Sequence, residues 1–261
     1  MGSITNYTEN NILNHFFGKE LFVPLTNMYL ALFVDDPTEE GLTVSEPSLF
    51  GYARTEIVFG TAANRTIAQS GAITFPQCDG GGWGTLQHWG IMDAETGGNM
   101  IAYGELETPL VTFNSYITYI KDGAVQISML PGTVSDAVAN LGLTALFNGI
   151  PIPFFDLYIA FCYESPEDSD DGSTIPELVG GNYSRVKFAN WSYATEGITL
   201  NETSIEFPLP SEDWRNITHT ALCDAVIGGN MVFYGISNPN QAPTKGKPVR
   251  YNKNNFITTI N

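Results

Sequence analysis

The chain has 261 residues, with 28 Asp plus Glu against 11 Lys plus Arg and a formal net charge of −17. This charge argues against a protein that coats nucleic-acid phosphates, because such proteins need clustered basic residues. A hydrophobic fraction of 43% is too high for a disordered acidic tail. No apolar run reaches the ~18 residues that cross a bilayer, and the N-terminal residues lack the features of a secretory signal. The sequence predicts a globular protein folded in a reducing cytoplasm, with neither nucleic acid nor membrane as a partner.

The first predicted element is a helix over 6–17, which has an apolar face and ends at Gly18. After it the apolar residues recur with period two, which is typical of strands. The turn Lys121-Asp122-Gly123 lies between the last two runs and predicts a hairpin. The strand-like runs are 29–34, 55–59, 72–75, 86–92, 100–104, 116–120 and 125–129.

The chain then repeats itself at an offset of about 131 residues, with order preserved. The matching pairs include Trp83 and Trp214, His88 and His219, Asp93 and Asp224, and Tyr103 and Tyr234. Turn chemistry at Pro131-Gly132 separates the copies. The sequence therefore predicts two tandem domains, residues 1–131 and 132–261.

The second copy opens like the first, with Ser135 as the cap of a predicted helix that runs through Phe147. Short strand-like runs follow, including 156–161, 185–188 and 256–260. Strands of this length, punctuated by turns, are typical of a β-sandwich or a small barrel. We expect a mainly β protein made of two such domains, each preceded by one short helix.

Two features, of which only the first is repeated, resemble catalytic or cofactor motifs. His88 and Asp93 recur as His219 and Asp224, but the odd spacing on one strand sends the side chains to opposite faces, so we expect structural roles. The run Gly80–Gly84 lacks the Gly-Lys-Ser/Thr ending and the following helix of a phosphate loop. We predict no catalytic residues and no cofactor.

Acidic residues cluster after the first strand of each copy, and the second cluster contains Asp168, Asp170 and Asp171. Oxygen-rich loops can bind calcium, yet the spacing departs from that of a helix–loop–helix site. We favour a solvated loop and keep these three residues as calcium candidates.

Two features of the second copy suggest contacts with partners. Lys245, Lys247, Arg250 and Lys253 lie within nine positions and form either a solvated hairpin or a docking strip for an acidic neighbour. Trp191 has no tryptophan counterpart in the first copy, which makes it the candidate for an exposed platform for sugars.

The first copy resembles a β-rich module of tailed-bacteriophage virion proteins that are commonly labelled tail-fibre or minor virion proteins. The resemblance rests on 5–10, 27–33, 36–39, Gly51-Tyr52-Ala53-Arg54, Phe75-Pro76 and 89–99. The second copy departs from it, with 219–223 where Trp89-Gly90-Ile91 is expected.

This resemblance implies a non-enzymatic structural component of a virion, tail- or fibre-associated or an accessory protein of the particle surface. Its partners would be other virion proteins, with assembly into a homo-oligomer. The alternatives are a capsid decoration protein, a receptor- or glycan-binding module that contacts a host-surface glycan, and a hydrolase of cell-wall or capsule polymer, for which no carboxylate pair stands out.

Overall fold

The computed structural model describes residues 2–41, 45–152 and 154–260. Helix α1 (Asn6–Phe16) begins the first half and helix α2 (Asp136–Asn148) begins the second. Within these described residues, neither helix combines the length and the apolar character that crossing a membrane requires. The two helices lie where the sequence predicts them, although a short strand over Gly2–Ile4, which the sequence analysis did not predict, precedes α1.

Both helices start from an equivalent capping residue that also ties the helix to a long strand. The Thr5 hydroxyl accepts a hydrogen bond from the Thr8 amide and donates to the Met100 carbonyl at 2.6 Å. In α2 the Ser135 hydroxyl accepts from the Val138 amide and donates to the Met231 carbonyl at 2.5 Å. Each cap therefore satisfies an orphan amide and positions the helix over its sheet.

The first half contains a seven-stranded sheet with the order β3-β2-β6-β7-β1-β9-β4 and a separate β5–β8 pair. Its strands are β1 (Gly2–Ile4), β2 (Tyr29–Phe33), β3 (Thr55–Glu56), β4 (Thr66–Ala68), β5 (Ile73–Gln77), β6 (Thr85–Met92), β7 (Met100–Val111), β8 (Ile117–Ile120) and β9 (Gln126–Ser128).

The second half repeats the central strands but divides them among smaller sheets, with the orders β11-β10-β14-β15, β12-β17 and β13-β16. Its strands are β10 (Tyr158–Cys162), β11 (Val186–Lys187), β12 (Ile198–Leu200), β13 (Ile205–Glu206), β14 (Ile217–Cys223), β15 (Met231–Gln241), β16 (Arg250–Tyr251) and β17 (Ile257–Thr259). The predicted mainly β class is confirmed.

The hairpin predicted at Lys121-Asp122-Gly123 is wrong. The turn forms, since the Ala124 amide donates to the Lys121 carbonyl at 3.2 Å. However, β8 pairs with β5 and β9 pairs with β4 and β1, so the two flanking strands do not pair with each other. Strands that lie far upstream satisfy both backbones instead.

Each helix also docks on the opposite half. The Asn10 side-chain oxygen in α1 accepts from the Gly197 amide of the second half at 3.0 Å. The Asn140 side-chain oxygen in α2 accepts from the Arg65 amide of the first half at 2.9 Å. Asn140 lies 130 residues after Asn10 and Gly197 lies 132 after Arg65, so the two contacts are equivalent.

Aromatic packing repeats this reciprocal arrangement. Phe17 from the end of α1 packs on Trp191 with ring centroids 4.7 Å apart, and Phe147 from α2 packs on Phe59 at 4.6 Å. Buried residues of both halves consequently belong to one hydrophobic cluster. The three cysteines are buried and free.

Candidate functional site

The first half is organised around a buried arginine. The Arg54 guanidinium donates to both oxygens of Glu46 at 2.8 Å, and its Nη1 donates to the carbonyls of Ala94 and Gly97 at 2.7 Å. Burial and the Glu46 carboxylate raise the pKa of Tyr52, whose hydroxyl donates to Glu46 at 3.0 Å. The cluster joins the loop before β3 to the β6–β7 hairpin.

The second half repeats this cluster residue by residue, at an offset of 131. Arg185 donates to both oxygens of Glu177 and, through Nη1, to the carbonyls of Ala225 and Gly228 at 2.8 Å. The Tyr183 hydroxyl donates to Glu177 at 2.8 Å. Because the guanidinium donors bind groups of the same half, this repeated set stabilises the fold rather than a ligand.

The two repeated tryptophans are packing residues. Trp83 and Trp214 are 5% and 8% exposed. Their indole N–H groups donate to the carbonyls of Phe50 and Gly181 at 3.0 and 2.8 Å.

The repeated His and Asp residues do not contact each other. Asp93 accepts from the Asn99 amide at 2.6 Å and from its side chain at 2.8 Å, which closes the β6–β7 turn. Asp224 makes the same two bonds to Asn230. Both carboxylates thus hold a turn and do not orient an imidazole.

Asp168, one of the calcium candidates, links the two halves. Its Oδ1 accepts from the Tyr234 hydroxyl at 2.6 Å and from the Gly132 amide at 3.2 Å. It also lies 3.9 Å from Nη1 of Arg65 in the first half. Burial and this carboxylate raise the pKa of Tyr234.

The other calcium candidates close local turns. Asp170 accepts from the Glu167 amide at 2.8 Å, and Asp171 accepts from the Ser173 amide at 2.7 Å. Within the described ranges, no group of three or more His, Cys, Asp or Glu side chains is arranged to hold a metal ion.

The prediction of an exposed platform at Trp191 is wrong. Its side chain is 1% exposed and packs edge-on against Phe17, Phe188 and Phe256. Trp191 occupies the position that Phe59 occupies in the first half, and the helix from the opposite half covers each of them. The missing tryptophan counterpart reflects a change of aromatic residue at a buried contact.

The basic strip, Lys245, Lys247, Arg250 and Lys253, lies on the surface. Arg250 is 3.9 Å from the exposed carboxylate of Glu206. The three lysines form no ion pair with any residue that the structure describes. A positively charged surface is thus open to an acidic neighbour on an otherwise acidic molecule.

The second half also contains a cavity of about 330 Å³ that sequence reasoning did not single out. Its wall includes Gly132, Thr220 and Gly235, with Ile236 and Ile257 at the mouth. These two isoleucines are 80% and 61% exposed. The sequence feature that could have indicated this cavity is the departure of 219–223 from the pattern of the first copy.

Comparison with known proteins agrees with the internal repeat. A family model described as podophage GP4 fiber I protein gp80 matches residues 3–128 and matches again at residues 133–259. The two matches cover nearly all of the chain, one for each half. No curated protein matches the sequence.

Proposed function

We propose that this chain, which belongs to the podophage GP4 fiber I protein gp80 family, is a non-enzymatic structural subunit of a phage fibre. It acts by binding other virion proteins. The observation that carries the proposal is the family match over both halves, because each copy retains the fibre-protein pattern. Membership of the family supports a structural role in the virion. We infer a position in the fibre from the family's description as a fiber protein.

The use of the polar residues supports a role without catalysis. Asp93 and Asp224 close turns, and Arg54 and Arg185 bind carboxylates and carbonyls within their own halves. Residues that are bound in this way stabilise two copies of one fold and are not available to a substrate.

The contacts we propose use the surface of the second half. The basic strip offers four cations to an acidic neighbour, and rim charges of this kind mainly speed association. We expect Lys245→Glu combined with Lys247→Glu to slow association with the neighbouring subunit. The glycan-binding alternative has lost its main candidate, since Trp191 is buried.

The location in the particle is tested by labelling intact virions with antibodies against this chain and imaging them by electron microscopy. We expect label along fibres. Label on capsid faces would support the decoration alternative, and virions without label would overturn a structural role. The mass of the purified chain, measured by light scattering, separates a self-assembling trimer or hexamer from a monomer that needs the virion as a template.

A further inference from the structure

An interior position differs sharply between the two halves. In the first half, Trp89 on β6 is 3% exposed and lies against two glycines, Gly2 on β1 and Gly104 on β7. A Cβ on Gly104 would lie 2.6 Å from the indole, and a Cβ on Gly2 would overlap the same ring. Both glycines are therefore needed for the indole to fit between the strands.

The second half retains the two glycines but lacks the indole. Thr220 takes the place of Trp89, while Gly132 and Gly235 take the places of the glycines. A Cβ on either Gly132 or Gly235 would meet no atom within 4 Å. The cavity of about 330 Å³ occupies this space, and its size lies within the range of small-molecule pockets.

The residues at the mouth of the cavity also differ between the two halves. The first half has Glu105 and Gln126 at the positions that Ile236 and Ile257 occupy in the second half. A polar rim over a filled interior has thus become an apolar rim over an empty one. Exposed apolar side chains around a cavity mark a surface that another molecule covers.

Strand pairing leaves this mouth open. In the first half, β1 pairs with β7 on one side and with β9 on the other, where Gly2 faces Ile127. In the second half, the equivalent segment bonds to β15, with the Tyr234 amide donating to the Thr133 carbonyl at 2.9 Å. Among the described residues, that segment makes no pairing with β17, and Gly132 and Thr258 both line the cavity.

We propose that this cavity binds a tryptophan side chain presented by a partner polypeptide, whose indole occupies the space that Trp89 fills in the first half. The proposal deepens the proposed function, since the partner would be another virion protein. The wall contains threonine hydroxyls that can accept from an indole N–H.

The occupant is a protein side chain rather than a sugar because, among the described residues, the wall carries no Asp, Glu, Asn, Gln, Arg or Lys side chain. A sugar site needs such groups to hydrogen-bond ring hydroxyls. The partner is also not a second copy of this chain. All four tryptophans of the chain are buried, at 8% exposure or less.

The test is a titration of the full-length chain with N-acetyl-tryptophanamide, followed by amide chemical shifts in NMR. We expect saturable shifts at the amides of Gly132, Gly235 and Thr258, with millimolar affinity. N-acetyl-leucinamide at the same concentrations is the comparison ligand and should give at least about tenfold weaker binding. Absence of shifts at these amides at millimolar probe would overturn the proposal.

Variants then locate the binding. Thr220→Trp supplies the missing indole from within, so it should abolish the shifts and raise the melting temperature. Gly235→Leu fills the same space with a smaller side chain and serves if Thr220→Trp fails to fold. Val226→Trp adds an indole on the exposed β14–β15 turn and should leave binding unchanged.

Binding that persists in both filled variants would show that the probe lies elsewhere and would also overturn the proposal. The titration uses the isolated chain, whereas virion labelling tests the fibre role. Failure of one is therefore distinguishable from failure of the other.

Discussion

Arg54 and Arg185 show why isolated residues recur at a constant offset in this chain. Each is a buried cation whose charge is compensated by one glutamate and by backbone carbonyls of the β6–β7 or β14–β15 turn. Each half must pair this charge in order to fold, so the arginine, the glutamate and the glycine-containing turn are retained together.

Removing the arginine of an arginine–glutamate pair should show how much stability the pair contributes. We expect Arg185→Met to lower the free energy of unfolding by about 3–5 kcal/mol, because it leaves the Glu177 carboxylate without its cation. Denaturant unfolding measures the change. Arg250→Met removes an exposed arginine 3.9 Å from Glu206 and should cost less than about 1 kcal/mol. Equal losses in the two variants would contradict a special role for the buried pair.

Glu9 is a buried acid that, unlike the two arginines, has no oppositely charged partner among the described residues. It is 2% exposed, its Oε1 has no hydrogen-bond partner in the described residues, and Gly197 lies against it. Burial, together with the charge of Glu39, raises the pKa of Glu9 from 4.5 to about 8. The folded chain therefore keeps a proton between these two pH values that the unfolded chain releases.

The unfolding free energy should fall as pH rises through this window, by up to about 1.4 kcal/mol per pH unit. We expect Glu9→Gln to remove the fall, so that the variant is more stable than the parent chain near pH 8. Denaturant unfolding at several pH values from about 5 to 8 measures this. Glu95→Gln, at an exposed position, is the control, and a parent chain without the fall would contradict the prediction.

At the scale of secondary-structure elements, the two helix caps contribute directly to stability. Thr5→Ala and Ser135→Ala should each lower the unfolding free energy by about 1–2 kcal/mol, since each hydroxyl caps a helix and also donates to a carbonyl at the start of β7 or β15. Thermal or denaturant unfolding measures the loss.

Thr144 provides the matched control for these caps, because among the described residues its hydroxyl bonds only within α2, to the Asn140 carbonyl. Thr144→Ala replaces a poor helix former with a good one and should be neutral or stabilising. A loss as large as that of the caps would contradict the capping argument.

Elements with local signals were predictable, and elements that depend on distant partners were not. Gly18 marks the end of α1 and Ser135 the start of α2 within a few residues of sequence. The turn at Lys121-Asp122-Gly123 also forms, but the partners of β8 and β9 lie far upstream. The cavity was indicated only indirectly, because Thr220 alone does not reveal that Gly132 and Gly235 are retained around an empty space.

The reciprocal docking of the helices decides how the whole molecule folds. We expect residues 2–131 and 132–261, expressed separately, to fail to unfold cooperatively, because each would expose the surface that the other half's helix covers. Circular dichroism during denaturation measures this, and co-expression of the two halves should restore a cooperative transition. Cooperative unfolding of either isolated half would instead support independent domains at the predicted division.

Internal similarity revealed the duplication but could not reveal this reciprocal docking. The repeat offset is the same whether a helix packs on its own half alone or on both halves. The docking on the other half is set by contacts such as Phe17 with Trp191. An alignment of the two copies matches aromatic residues but does not show which half each of them contacts. The expectation of an exposed Trp191 failed for the same reason.

The reciprocal docking of the helices also limits how this chain can join other proteins. Each helix is tied to its own half by its cap and to the other half by its asparagine, so both of its binding surfaces lie within the same molecule. Folding is therefore unimolecular and independent of protein concentration. Neither helix is left free for a further molecule, so we expect contacts with other virion proteins to use the outer surfaces, where the open cavity and the basic strip lie.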